Sequence, residues 1–148
     1  MLDDVPHHDG SAQYVGDDRP GLGDTVPVWL RVPNECTLGG VWVRSTRDAE
    51  PHIDGAVVDR VDEFATWYRA DVEITNPITR YRWLLGGDRE YSWVNGTGRH
   101  DHDIPDTHDF AISAHPAASK WAIDAIVYEI FPDRFARSAS ATERPLPS

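Results

Sequence analysis

The stretch "TVPVWLRV", residues 25–32, sets Val26, Val28, Leu30 and Val32 on one side of an extended chain and Trp29 and Arg31 on the other. Successive side chains of a strand point to opposite faces. Such alternation of β-branched and aromatic residues therefore marks a half-buried strand with one dry side. The pattern recurs in "GVWVRST" (40–46), where Val41 and Val43 oppose Trp42 and Arg44. In "EFATWYRADVEI" (63–74), Trp67, Arg69 and Asp71 share a phase against Tyr68, Ala70 and Val72. "ITRYRWLLGG" (78–87) groups Tyr81, Trp83 and Leu85. Turn-forming clusters lie between these runs: "RPGLGD" (19–24), "PNECTLGG" (33–40), "TRDAEP" (46–51), "TNP" (75–77), "GGDR" (86–89) and "NGTG" (95–98). Gly, Pro, Asn and Asp supply the preset turns and positive φ angles that connect strands. Further short strands are expected at 11–16, 52–61 and 109–113, about seven or eight in all, the spacing of an antiparallel sandwich. Residues 1–115 are thus expected to form an all-β, immunoglobulin-like sandwich.

Composition is consistent with one folded domain. The chain has 148 residues, 40% of them hydrophobic, with six Trp, enough for a core without disulfides. Its net charge of −11 argues against a nucleic-acid partner, because phosphate binding needs a basic surface. Cys36 is the single cysteine, so no intrachain disulfide forms; a small half-buried thiol is expected there. The start "MLDDVPHHDG" has neither the basic nor the apolar region of a signal peptide, and no apolar run approaches a membrane span. A cytoplasmic protein without membrane contact is expected.

After residue 113 the pattern changes. "SAHPAASK" (113–120) is a small-residue, proline-bearing connector, with the linker placed at 116–120. "AIDAIVYEIF" (122–131) is almost continuously apolar and suits a strand buried on both faces, as in parallel sheets. The tail "ARSASATERPLPS" is small, polar and proline-rich, the composition of a flexible segment.

The segment "DAIVYEIFPDRFARS" (124–138) resembles the first barrel strand and exit loop of neopullulanase- and cyclomaltodextrinase-like enzymes of the α-amylase superfamily, glycoside hydrolase family 13. Val127, Tyr128, Ile130, Phe131, Pro132, Asp133, Arg134 and Phe135 match its V-Y-Q-I-F-P-D-R-F pattern, with Glu129 in place of Gln. Upstream, "WYRADVEI", "ITRYRWLLGGDREYSWVNGTG" and "HHDGSAQYV" resemble the β-sandwich ahead of that barrel, carbohydrate-binding module family 34. The resemblance implies that the chain is the N-terminal part of a longer retaining α-glycosidase, with residues 121–148 the start of a truncated (β/α)8 barrel. The parent would hydrolyse maltooligosaccharides, cyclodextrins or pullulan. Its catalytic Asp and Glu would stand on later barrel strands, so no residue here is assigned to catalysis and the fragment is expected to be inactive. Glu129 and Asp133 make no pair: positions four apart on a strand lie ~13 Å apart, against the ~5 Å of retaining carboxylates. Many relatives ligate calcium after the R-F pair. Arg137, Ser138 and Ala139 stand there instead, so that site and any other cofactor are expected to be absent. Without barrel neighbours, residues 121–135 are expected to be disordered, docked on the sandwich or paired with another chain.

Within the sandwich a Trp-x-Arg pattern repeats: Trp29/Arg31, Trp42/Arg44 and Trp67/Arg69. If these strands share a sheet, its outer face carries an aromatic and guanidinium stripe. Two readings stay open. Flat aromatics stack on glucose rings while Arg binds the hydroxyls, and Trp and Arg are equally typical of protein interfaces. The partners in view are α-glucan oligosaccharides, the missing barrel, or a second copy in a homodimer. The resulting function is an N-terminal domain shaping the cleft or dimer interface of an α-glucan-acting hydrolase; a stand-alone starch- or glycogen-binding module is the alternative. Trp83, Trp93 and Tyr81 are expected in the core. "GRHDHDIPDTHDF" (98–110) holds alternating His and Asp. It lacks the fixed context of a metal site and is expected to be a solvated acidic loop. "NGT" (95–97) is expected to be a turn, not a glycosylation acceptor.

Overall fold

The computed structural model describes residues 5–87, 90–114 and 126. The chain divides into two units, Met1–Ala117 and Ala118–Ser148, and every described element belongs to the first. Apart from Ile126, the linker, the barrel-like strand with Glu129 and Asp133, and the tail lie outside the described residues.

Nine strands follow in order among the described residues: β1 (Thr25–Pro33), β2 (Gly40–Arg47), β3 (Glu50–Gly55), β4 (Val57–Val61), β5 (Ala65–Glu73), β6 (Ile78–Gly86), β7 (Tyr91–Asn95), β8 (Gly98–His100) and β9 (Phe110–Ser113). They form two sheets. The smaller has the order β1-β5-β4, and the larger runs β3-β2-β6-β7-β8 with β9 also paired to β6. All named pairings are antiparallel. The all-β antiparallel sandwich expected from the alternation is the fold observed.

The core lies between the sheets and is built from the positions whose phase marks them as inward. Val26, Val28, Leu30 and Val32 of β1 join Ala70 and Val72 of β5; from the larger sheet come Val41, Val43, Tyr81, Trp83, Leu85, Val94, Phe110 and Ile112. Each fully buried Val or Leu contributes about 1.5–3 kcal/mol, so this strip outweighs any surface contact described below. Tyr81 and Trp83 are in the core as expected. Cys36 is free and half-buried against the core.

Three elements differ from expectation. The run 52–61 is not one strand. It leaves β3 in the larger sheet, passes through Ala56, whose N–H donates to Val41 O at 2.9 Å, and continues as β4 in the smaller sheet. A single extended stretch thereby forms one edge of both sheets, the way sandwich corners are made. Along β4 every position is exposed, and the register with β5 slips between Val58 and Arg60. Residues 11–16 are a turn with one isolated bridge, Val15 to Val28, because Asp9 Oδ1 caps the Ser11 N–H at 2.9 Å and starts a tight bend. Finally, β7 and β8 were not expected. The Asn95–Gly98 turn joins them, with Gly98 at φ +111° and Asn95 Oδ1 accepting from the Thr97 N–H at 2.9 Å and hydroxyl at 2.7 Å.

The N-terminal segment acts as a strap along the free edge of β1. His7 and Arg31 exchange backbone bonds at 2.8 and 3.0 Å, and Tyr14 O accepts from Trp29 N–H at 2.9 Å. Between these anchors His8 is buried. Its Nδ1 donates to Trp29 O at 2.7 Å, which fixes the tautomer, so Nε2 accepts from the Tyr81 hydroxyl at 2.8 Å. The ring packs edge-on against Phe110, with centroids 4.3 Å apart. Removal from water pushes its pKa down to about 4, against a smaller upward pull from the Trp29 carbonyl. Among the described residues no helix is long and apolar enough to cross a membrane.

Candidate functional site: two aromatic faces

The two sheets separate the Trp-x-Arg residues. Trp29, Arg31, Trp67 and Arg69 stand on β1 and β5 of the smaller sheet, where Trp29 is opposite Arg69 and Arg31 opposite Trp67. Trp42 and Arg44 stand on β2 of the larger sheet. Because the inner faces of both sheets meet in the core, the outward positions of the two sheets point to opposite sides of the sandwich. No single stripe joins all six.

On the smaller sheet the chain covers part of its own aromatic surface. Trp67 is in the outward phase yet only 5% exposed. Tyr14 of the strap stacks on it at 5.4 Å, and the Arg60 guanidinium sits 4.0 Å from its ring centre. Asp62 Oδ2 accepts its Nε1–H at 2.9 Å. The bonds from the Phe64 N–H, the Trp67 indole and the Ala65 N–H, in that order, hold the Asp62 carboxyl below its ordinary pKa. Trp29 is half-buried, with Nε1 donating to Asp59 Oδ2 at 3.1 Å. Arg69 is engaged by Asp71 at 2.9 Å. Trp67 offers no free face to a ligand while the strap is in place.

The larger sheet presents a more open surface. Its register aligns Gly55, Trp42, Leu84, Trp93 and His100 across β3, β2, β6, β7 and β8. Trp42 lies down against the sheet because its neighbours have no side chains. A Cβ at Gly86 would fall 2.8 Å from its ring, one at Gly40 closer still, and one at Gly55 3.8 Å from it. Trp42, Leu84 and Trp93 are half-buried, and Tyr91, two positions before Trp93 on β7 and opposite Gly86, is exposed. Tyr91 and Trp93 meet edge-to-face at 6.1 Å, and both donate to Asp103 Oδ1, at 2.9 and 3.2 Å. The bond to Asp103 raises the Tyr91 phenol above its ordinary pKa.

Beside this row an ion-pair cluster fixes the 101–109 loop. Arg44 and Arg82 are cross-strand neighbours, a repulsive pair made tolerable by two carboxylates. Arg82, nearly fully buried, bonds Asp106, donates to Asp109 Oδ2 at 3.1 Å and to Ile104 O at 2.6 Å. Arg44 reaches Asp106 at 3.2 Å. Burial pushes the Asp109 carboxyl pKa up, opposed by Arg82 and Arg44. The loop expected to be a solvated acidic stretch is therefore pinned at Asp106 and Asp109, while Asp101 and His102 are exposed. Arg44 serves this scaffold. Among the described residues no group of three or more His, Cys, Asp or Glu is placed to hold a metal ion.

Sequence reading missed Leu84, Tyr91, Trp93 and Asp103 as surface residues, and Trp93 is outward-facing, not core. The signal was present: Tyr91, Trp93 and Asn95 alternate against Ser92 and Val94. Only the pairing of β7 with β6 shows which phase is buried.

No family model matches the chain. Among solved structures the fold is similar to a cyclomaltodextrinase, with TM-score 0.63 and 14% identity over 76% of this chain and 20% of that one. It is also similar to a maltogenic amylase from S. marinus, with TM-score 0.55 and 12% identity over 76% of this chain and 14% of that one. The chain thus spans about a fifth or less of either enzyme. At these identities the likeness is one of fold: the sandwich described here is an antiparallel β-sandwich of the kind those chains contain.

Proposed function

We propose that this sandwich is a non-catalytic domain of an α-glucan-acting glycoside hydrolase, and that the outer face of its larger sheet contacts the glucan. The observation that carries the reading is Trp42, held flat over Gly40 and Gly86 in line with Leu84 and Trp93. A broad, rigid aromatic surface matches the apolar face of a pyranose ring. Arg44 and the 101–109 loop border it, with Asp103 already orienting two of the aromatic rings. The likeness to a cyclomaltodextrinase and a maltogenic amylase suggests the substrate class, and the barrel-like motif at 124–138 suggests a hydrolase of which this is one part. Hydrolysis then belongs to the longer enzyme, with the domain standing beside its cleft.

The competing reading is a protein interface, either with the barrel or with a second copy. It draws on the same Trp and Arg content and on the rigidity that the Arg82 cluster lends the face. Affinity electrophoresis of the 148-residue chain in gels with and without amylopectin separates the two. Retardation is expected for the wild type and for Trp29→Ala on the opposite face, and loss of retardation for Trp42→Ala and Trp93→Ala. Identical migration of all four in both gels would overturn the glucan-surface reading in favour of the interface.

A further inference from the structure

A cavity of about 530 Å³ opens at the end of the β6–β7 hairpin, within the size range of small-molecule sites. Its floor is not the outer face. Leu85 and Ser92 line it; they are cross-strand partners on the inward side, and both are almost fully buried. Arg99 enters from β8 and donates Nε–H to Ser92 Oγ at 3.0 Å, while the Ser92 hydroxyl has a proton of its own to give. Glu90 and Asp101 bring two carboxylates to the rim, and Tyr91 forms one wall. The cavity thus combines an apolar floor, an aromatic wall, a buried hydroxyl and acceptors of both charged and neutral kinds, the mixture that a polyhydroxylated ring requires.

Tyr91 belongs to both surfaces. On the outer face it lies two positions along β7 from Trp93, in edge-to-face contact with it, and it also lines the cavity. Gly86, which lies under the Trp42 ring, also lines the cavity, so a glucan stacked on Trp42 stands beside the opening and enters it by turning inward. A chain terminus can make that turn; a unit in mid-chain has to keep both neighbours on the outer face. A terminal residue also carries a free hydroxyl that an internal unit spends in its glycosidic bond. Sites whose polar groups are set to bond a hydroxyl discriminate against ligands that lack it, because those groups are then left unpaired. Resting on the glucan-surface reading, we propose that this cavity is a chain-end subsite that receives the terminal sugar residue of an α-glucan and makes the domain prefer linear oligosaccharides with free ends over closed rings.

The test is calorimetric titration of the 148-residue chain with a linear maltooligosaccharide and with the cyclodextrin of the same number of glucose units. The linear ligand is expected to bind about tenfold more tightly, the worth of one well-made hydrogen bond to a charged group. Glu90→Gln and Ser92→Ala are expected to bring the linear ligand down to the level of the ring while leaving the ring's affinity unchanged. Glu90 is exposed, so its exchange leaves the core intact, and matching melting curves check both variants. Equal binding of ring and chain overturns the chain-end subsite and leaves the glucan surface standing. A preference for the linear ligand that neither variant alters also overturns it. Binding of neither ligand defeats both the subsite and the glucan surface.

Discussion

His8 gives the sharpest forecast, because its protonation is coupled to the fold by burial. Unfolded, its imidazole titrates near 6.5; folded, it holds out to about 4. Between these values the unfolded chain binds a proton that the folded chain refuses, so stability rises with pH across that window. The contribution is fully present above 6.5 and is lost as pH falls toward 4. A difference of roughly 2.5 units, at 1.36 kcal/mol per unit, amounts to about 3 kcal/mol, or a few hundredfold in the folding equilibrium. His8→Gln removes the titration while keeping a donor and an acceptor near Trp29 O and the Tyr81 hydroxyl. Urea unfolding of both proteins from neutral pH downward is the assay. A lowered carboxylate such as Asp62 also weakens the fold in acid, but it does so in both proteins, so the difference between the two reports His8 together with its coupling to the adjacent Asp9. The wild type should lose about 3 kcal/mol more than the variant by pH ~4. Parallel loss in the two would refute the burial of His8 beneath the strap and mean that its ring is not sealed from water.

Two further outcomes follow from the larger sheet. Gly86→Ala puts a methyl group 2.8 Å from the Trp42 ring and should lift the indole off the sheet. We expect a stability loss near ~1 kcal/mol, since the half-buried ring can move outward, together with loss of amylopectin retardation as severe as in Trp42→Ala. Arg82→Met strands the buried Asp109 carboxylate, so chemical unfolding should register about 3–5 kcal/mol of destabilisation, part of which the Arg82→Met/Asp109→Leu double variant recovers.

The long alternating runs at 25–32, 40–46, 65–73 and 78–86 were legible because each repeats its apolar phase two or more times, and burial follows that phase with exceptions such as Trp67, covered by the strap and Arg60, and Arg82, covered by the 101–109 loop. What alternation does not encode is which sheet a strand joins. Trp29 and Trp42 share an identical local pattern, V-W-x-R apart from the order of neighbours, yet they end on opposite sides of the sandwich. Strand β7 was overlooked because five residues bounded by a charged turn and an Asn-Gly pair carry too few periods to stand out. The break at Ala56 has no helix- or strand-breaking residue beyond Gly55 to announce it; it arises where the chain changes sheets. His8 left no periodic trace at all, since its burial depends on a strap anchored through backbone bonds to β1. The Arg82 cluster was hidden for a related reason: its partners are separated by more than twenty positions and meet only once β9 is laid beside β6.

The stretch that serves both sheets also sets how the molecule behaves at high concentration. Val57, Val58 and Val61 are each more than half exposed on the outermost strand of the smaller sheet. A straight strand of that composition is a template on which another molecule's strand can crystallise into a growing ribbon. The slip between Val58 and Arg60 bends that template, and Asp59 and Arg60 turn away to Trp29 and Trp67. Deleting Asp59 would straighten the edge and turn it into a seed for precipitation.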